Sequence, residues 1–252
     1  MRTIPKTRYP SVKVGFFLAA FLPALMLFGC NFGTTLPTPF VVGEGPATVG
    51  KKKTRLDVGG GAGFGACCGW PGPGAGGQVR VRHGIADRHE LGVSAMALFI
   101  QADTEESRYP AHFWMSAKLD YKWQFNRYAA LLLGAGGGIT PFSPFIGGDV
   151  GVVVGRPGWK KLVPYGAVRL SGSAPVGRVD RIIIDEDTGE TGPIVPNVTL
   201  LGAVGLKINF KPWLAWVIEI GGGGIFPIGG TEGGGHGGAF YGYTGLSFRL
   251  GG

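Results

Sequence analysis

The sequence predicts an all-β chain, a closed antiparallel up-and-down transmembrane β-barrel of about ten strands. Three observations carry that expectation. The first is a period of two, clearest in "AHFWMSAKLDYKWQF" at 111–125, where Phe113, Met115, Ala117, Leu119, Tyr121, Trp123 and Phe125 share one parity. His112, Ser116, Lys118, Asp120, Lys122 and Gln124 share the other. Alternation of this kind marks a strand with two unlike faces; a helix would put Asp120 on the stripe of Phe113 and Ala117. The second is length: about 9 to 11 tilted residues cross a bilayer, whereas ordinary strands average about 5 or 6. The third is that short and long connections alternate along the chain, which gathers tight turns at one end of a barrel and longer loops at the other.

Composition agrees. In 252 residues, 49 Gly and 18 Pro would by themselves suggest disorder, but 44% hydrophobic content supplies the apolar surface that disordered chains lack. Charged residues, at 16%, fall below the roughly 25% of soluble domains. Residues 1–29 read as a secretory signal peptide, with Arg2, Lys6, Arg8 and Lys13 ahead of the apolar run "VGFFLAAFLPALMLFGC". Its end, Leu27-Phe28-Gly29-Cys30, resembles the lipobox of bacterial lipoproteins, with Phe28 where a small residue is usual. That resemblance implies lipidation of Cys30; cleavage nearby with Cys30 left as a plain thiol is the alternative. Loss of the leader lowers the formal charge from +8 to +4, a balance that does not point to nucleic acid. Residues 30–53, rich in Gly and Pro and ending in Lys51-Lys52-Lys53, read as a tether, and 54–252 as the barrel.

Strands are expected near 54–65, 77–84, 90–101, 111–125, 129–139, 145–155, 162–172, 196–210, 214–225 and 238–250. In the eighth, Val198, Leu200, Val204, Leu206, Ile208 and Phe210 oppose Thr199, Lys207 and Asn209. In the last, Phe240, Leu246, Phe248 and Leu250 oppose Tyr241, Tyr243, Ser247 and Arg249. The short connections centre on "IADRHE", "NRY", "RPGWKK" and "KPW"; the longer set covers 66–76, 102–110, 140–144, 173–195 and 226–237. "RIII" before "DEDTGETG" extends a strand above the membrane, with the four acids at a solvated hairpin tip rather than in a calcium loop, whose glycine and glutamate would be out of register.

Alternation alone does not say which face is outside, since a soluble barrel turns its apolar face inward. The second face decides. It carries Gly59, Gly61 and Gly63, then Gly134, Gly136 and Gly138, then Gly147, Gly151 and Gly155. Facing water, such rows would be short of charge; facing a narrow lumen, they leave room for long side chains of other strands. The apolar face is therefore expected to meet lipid, with Phe113 toward one interfacial girdle and Tyr121, Trp123 and Phe125 toward the other.

Lumen-facing charges are then Arg55, Arg80, Arg82, Lys118, Lys122, Arg169, Lys207 and Arg249 against Asp57, Glu90, Asp120, Asp149 and Glu219. They make either an anion-preferring channel or a mutually neutralising network; a barrel this narrow favours the network, because open channels belong to about 16 to 18 strands. Cys67 and Cys68 suit a vicinal disulfide, a link to another chain, or two free thiols. No metal or cofactor site is expected, and no catalytic motif is present. His112 with Ser107 or Asp103 at the rim is an arrangement that an outer-membrane enzyme could use, and nothing in its spacing requires one.

"VRHGIADRHELGVSA" at 81–95 resembles the hairpin of bacterial outer-membrane β-barrel proteins, and "YGYTGLSFRL" their terminal strand, though the chain ends in Leu250-Gly251-Gly252 rather than an aromatic residue. The resemblance implies an outer-membrane location, with lipid and the barrel assembly machinery as partners. The expected function is a structural or porin-like barrel that passes small solutes at most; the alternatives are a lipid-anchored, lipocalin-like barrel binding an apolar ligand and an outer-membrane enzyme.

Overall fold

The computed structural model describes residues 43–66, 72–101, 111–140, 143–156, 161–177, 182–185, 190–192, 195–228 and 237–250. Ten strands close a single antiparallel barrel: β1 (Thr54–Ala66), β2 (Gly72–Ala86), β3 (His89–Gln101), β4 (Ala111–Asn126), β5 (Ala129–Ile139), β6 (Pro144–Gly155), β7 (Leu162–Pro175), β10 (Asn197–Lys211), β11 (Leu214–Pro227) and β12 (Gly237–Leu250). Each pairs with its chain neighbour, and β1 pairs with β12 from Thr54↔Leu250 to Ala66↔Gly238, which closes the ring. Closure leaves the barrel no edge strand, as a bilayer demands of backbone groups that find no water there. Within the connection after β7, β8 (Ile182–Asp185) pairs with β9 (Glu190–Gly192), the hairpin expected around the acidic segment.

Three short hairpins share one construction. A register irregularity at Gly84/Ala86, Gln124/Asn126 and Asn209/Lys211 precedes two-residue turns at 87–88, 127–128 and 212–213. The extra residue increases local twist and lets the chain reverse tightly. At 127–128 the Asn126 Oδ1 accepts the Tyr128 N–H at 2.7 Å, an Asx-type closure.

β2 starts earlier than the expected 77: "GPGAG" at 72–76, expected as loop, belongs to the strand, in register from Gly72↔Gly65 to Gly76↔Gly61. Glycine and proline were there a poor guide, because this part of the barrel sets small residues opposite small residues.

The faces sort as expected. Leu119, Phe240, Ile146, Phe210 and Val168 are exposed on the outer surface, while Arg80, Arg82, Glu90, Lys118, Lys122 and Glu219 are buried inside. A soluble lipocalin-like barrel needs the reverse, so that alternative is overturned among the described residues. Aromatic Tyr121, Trp123, Phe125 and Tyr128 stand together at the short-turn end. There Trp123 stacks on His89 at 6.4 Å between centroids, and His89 Nδ1 lies 2.6 Å from the Tyr121 hydroxyl. His83 pairs outward with Thr54 at 3.0 Å, so both histidines serve the outer girdle.

An arginine on the lipid face should expose this orientation. Leu119→Arg, at the middle of β4 and 67% exposed, is expected to lower stability by about 2–4 kcal/mol in vesicles, the midplane cost of a cation. Urea titration of the folded barrel measures it.

Candidate functional site: a stoppered lumen

Glycine makes the lumen habitable. The Tyr165 ring lies against its cross-strand partner Gly205, Tyr241 against Gly221, and Tyr243 against Gly59 and Gly245; a Cβ at any of these glycines would strike an aromatic ring. With Ala130, Leu132, Val153, Ala167 and Val217, these tyrosines pack an apolar cluster drawn from β5, β6, β7, β11 and β12. Glu219 stands among them and accepts from the Tyr165 hydroxyl at 2.7 Å and the Tyr241 hydroxyl at 2.9 Å.

Buried charges line the interior on β1 to β4 and again on β6 and β7. Asp57 takes Arg55 at 3.1 Å and Arg80 at 3.2 Å; Asp149 takes Lys118 at 2.8 Å and Arg169 at 3.3 Å. Lys118 also reaches Asp120 at 3.0 Å, and the Ser94 hydroxyl donates to Asp120 at 2.8 Å. These residues come from β1, β2, β3, β4, β6 and β7, so the pairs tie neighbouring strands together, and Lys118–Asp149 reaches over β5. Of the predicted lumen charges, Lys207 is partly buried on the inward parity, and Arg249, paired in register with Arg55, is exposed at the mouth rather than enclosed. Cys30, Cys67, Cys68, Asp103 and Ser107, and the side chain of His112, lie outside the described residues.

The residue that organises the network is one that strand periodicity does not find. Residues 43–53, expected to end a tether, are folded into the short-turn mouth. Gly50 and Lys52 adopt positive φ in a turn closed by Lys53 N–H on the Gly50 carbonyl at 3.2 Å. Lys52 N–H then donates to Gly84 O at 2.7 Å, and Gly84 N–H to Lys53 O at 2.9 Å. Any side chain at Gly84 would collide with the Gly50 backbone. From that hinge the segment crosses the opening: Val49 N–H donates to Glu90, Thr48 N–H to Gln124 Oε1 at 3.2 Å, and Thr48 Oγ1 to Asp87 O at 2.7 Å. It ends with Gly43 N–H on Glu219 Oε2 at 2.7 Å.

Glu44 is the clasp. Its carboxylate meets the Arg55 and Arg82 guanidinium groups and the Lys122 ammonium, the last at 2.9 Å. Lys122 also donates to the carbonyls of Gly45 at 2.9 Å and Ala47 at 2.8 Å. Arg82 reaches Glu90 as well, at 3.6 Å. Burial alone would push the Glu44 carboxyl up, but the charges of Arg55, Arg82 and Lys122 outweigh it and hold it well below the usual carboxylate range.

Two features of the sequence point to this contact. Glu44 is the first acid of the chain, and the predicted lumen charges held more cations than anions, a surplus that a narrow interior does not tolerate unpaired.

No protein-family model and no curated protein matches the chain. Among solved structures it is similar to the outer membrane protease OmpT from Escherichia coli, at 10% identity and a TM-score of 0.41 over 86% of this chain and 99% of that one. It is also similar to two barrels from Pseudomonas aeruginosa. One is the N-terminal β-barrel domain of OprF, at 14% identity and a TM-score of 0.36 over 80% and 99% of the two chains. The other is the outer membrane protein OprG, at 11% and 0.36 over 82% and 99%.

Glu44→Ala leaves three buried cations facing one another. Removing one partner of such a cluster costs about 3–5 kcal/mol, to be read as a lower urea midpoint of the folded barrel. The pH response has a definite sign. Because the folded carboxyl titrates below its unfolded value of about 4.3, its contribution is complete above that pH and is lost as pH falls below it. Stability measured from pH 7 down to pH 3 should therefore drop in the wild type by more than in Glu44→Ala.

Proposed function

We propose that this chain is a non-enzymatic outer-membrane β-barrel that is sealed at rest, its own N-terminal strap stopping the short-turn mouth. Three features support the membrane reading: the apolar outer face, the aromatic girdle and the closed sheet; a secretory leader with Cys30 as its lipidation residue belongs to the same proposal. In such barrels the short turns face the periplasm, so the strap closes the periplasmic side.

The observation that carries the sealed state is the Glu44 clasp. A segment held by a carboxylate shared among β1, β2 and β4, and by backbone bonds to Gly84, is part of the wall rather than a linker passing by. Tyrosines in their glycine slots and the Asp57 and Asp149 pairs fill the interior behind it. Porin-like passage of small solutes then requires the strap to leave; it is a second state of the barrel and not its resting one.

Planar-bilayer recording tests this. Wild-type barrel should show no steady conductance, and a variant lacking residues 43–50, or Glu44→Ala, should show discrete openings. Heat-modifiable mobility on a detergent gel establishes that each variant is folded. Steady wild-type channels of the same size as those of the strap deletion would overturn the sealed reading.

A further inference from the structure

We infer that the short-turn rim is a binding surface for the phosphate headgroups of anionic phospholipids. The inference rests on the membrane reading above, and its first ground is a contrast between two sets of charges. Inside the barrel, Arg55, Arg80, Arg82, Lys118, Lys122 and Arg169 all face carboxylates within ion-pair distance. At the rim, Lys51, Lys52, Arg88, Arg127, Lys161 and Lys211 are exposed, and among the described residues none forms an ion pair within the chain. Apart from the Arg127 guanidinium over the Tyr128 ring, their charge has no partner within the described residues.

The second ground is distribution. Each of the short connections carries a cation: Arg88 between β2 and β3, Arg127 between β4 and β5, Lys161 before β7, and Lys211 at the end of β10. Lys51 and Lys52 precede β1. Asp87 is the lone acid of these turns. The long connections lean the other way, as in Asp103, Glu105 and Glu106 against Arg108. The positive charge thus forms a ring around one mouth instead of a patch on one side, which suits a planar array of phosphates better than a single folded partner.

The third ground is level. The ring sits against the aromatic belt: Arg127 lies 4.6 Å over the Tyr128 ring, Trp213 follows Lys211 by two positions in the same turn, and Trp123 and Trp213 are exposed. Aromatic side chains of that kind settle at the headgroup layer, so the cations of the same turns meet phosphate oxygens. Lysine and arginine near such a surface are attracted within a Debye length.

The test uses the full barrel refolded into vesicles, with tryptophan fluorescence quenched by brominated phosphatidylglycerol or brominated phosphatidylcholine at equal mole fraction. Wild type should favour the anionic lipid by about fivefold, the order a single cation near a charged surface supplies. The preference should fall toward one in 1 M salt (a Debye length of about 3 Å) and in the combined variant Arg88→Gln, Arg127→Gln, Lys161→Gln, Lys211→Gln. Equal quenching by the two lipids in the wild type overturns the inference, as does a preference unaffected by salt. Heat-modifiable mobility in phosphatidylcholine vesicles separates the two readings: a barrel that folds there without lipid preference refutes the rim alone, and one that never folds into bilayers refutes the membrane reading beneath it.

Discussion

Arg55, Arg82 and Lys122 converge from three strands near one end of a narrow lumen, and like charges so placed repel unless an anion stands between them. The sheet cannot supply that anion alone. Asp57 is engaged by Arg55 and Arg80, and Glu90 accepts the Val49 N–H while bordering Arg82. The chain solves the problem from outside its own barrel, by laying Glu44 across the opening. The sealed mouth and the buried position of the strap follow from that electrostatic requirement. So does the glycine at position 84, where strap and β2 approach too closely for any side chain.

The interior divides its tasks between two kinds of residue. Charges hold strands together across the β1–β4 and β6–β7 side, while tyrosines lying on cross-strand glycines fill the side formed by β7, β10, β11 and β12. Buried ion pairs are weak sources of net stability, since desolvation offsets much of their attraction. Packed aromatic rings carry less of that offset, provided their hydroxyls are bonded, as those of Tyr165 and Tyr241 are to Glu219. The tyrosine wall therefore contributes mainly to stability and the charge network mainly to geometry, fixing which carboxylate meets which cation and so where the strap lies. Glu219 joins the two halves, taking phenol hydroxyls from the wall and the Gly43 N–H from the strap.

Much of this was legible in the sequence because strand periodicity reports a face directly. Phe113 to Phe125 announced the lipid side of β4, and Lys118, Asp120 and Lys122 its lumen side, before any contact was known; the structure buries all three charges. The glycine rows announced an interior crowded by something larger. What periodicity does not report is a contact made by irregular backbone. Residues 43–53 have no alternation, and their composition reads as linker; their fixed place depends on partners 11 to 176 positions distant. The pairing of Tyr165 with Gly205 escaped for a related reason, since it needs the register between β7 and β10, which the long connection between them conceals.

The same physics separates the matched interior from the unmatched rim. Enclosed charges must find partners within the molecule, because an unpaired ion in a confined site costs several kcal/mol. Water and mobile counterions relieve a solvated rim of that demand. A rim can therefore keep one sign all the way round, and what limits it is only mutual repulsion, screened beyond about 8 Å at physiological salt. Unpaired charge at the mouth and the pairing of Arg55, Arg80, Arg82, Lys118, Lys122 and Arg169 behind it are thus consequences of solvent access, and the strap marks the boundary. Lys51 and Lys52 stand on its watery side, exposed, and Glu44, seven residues before Lys51, on its enclosed side with three cations around it.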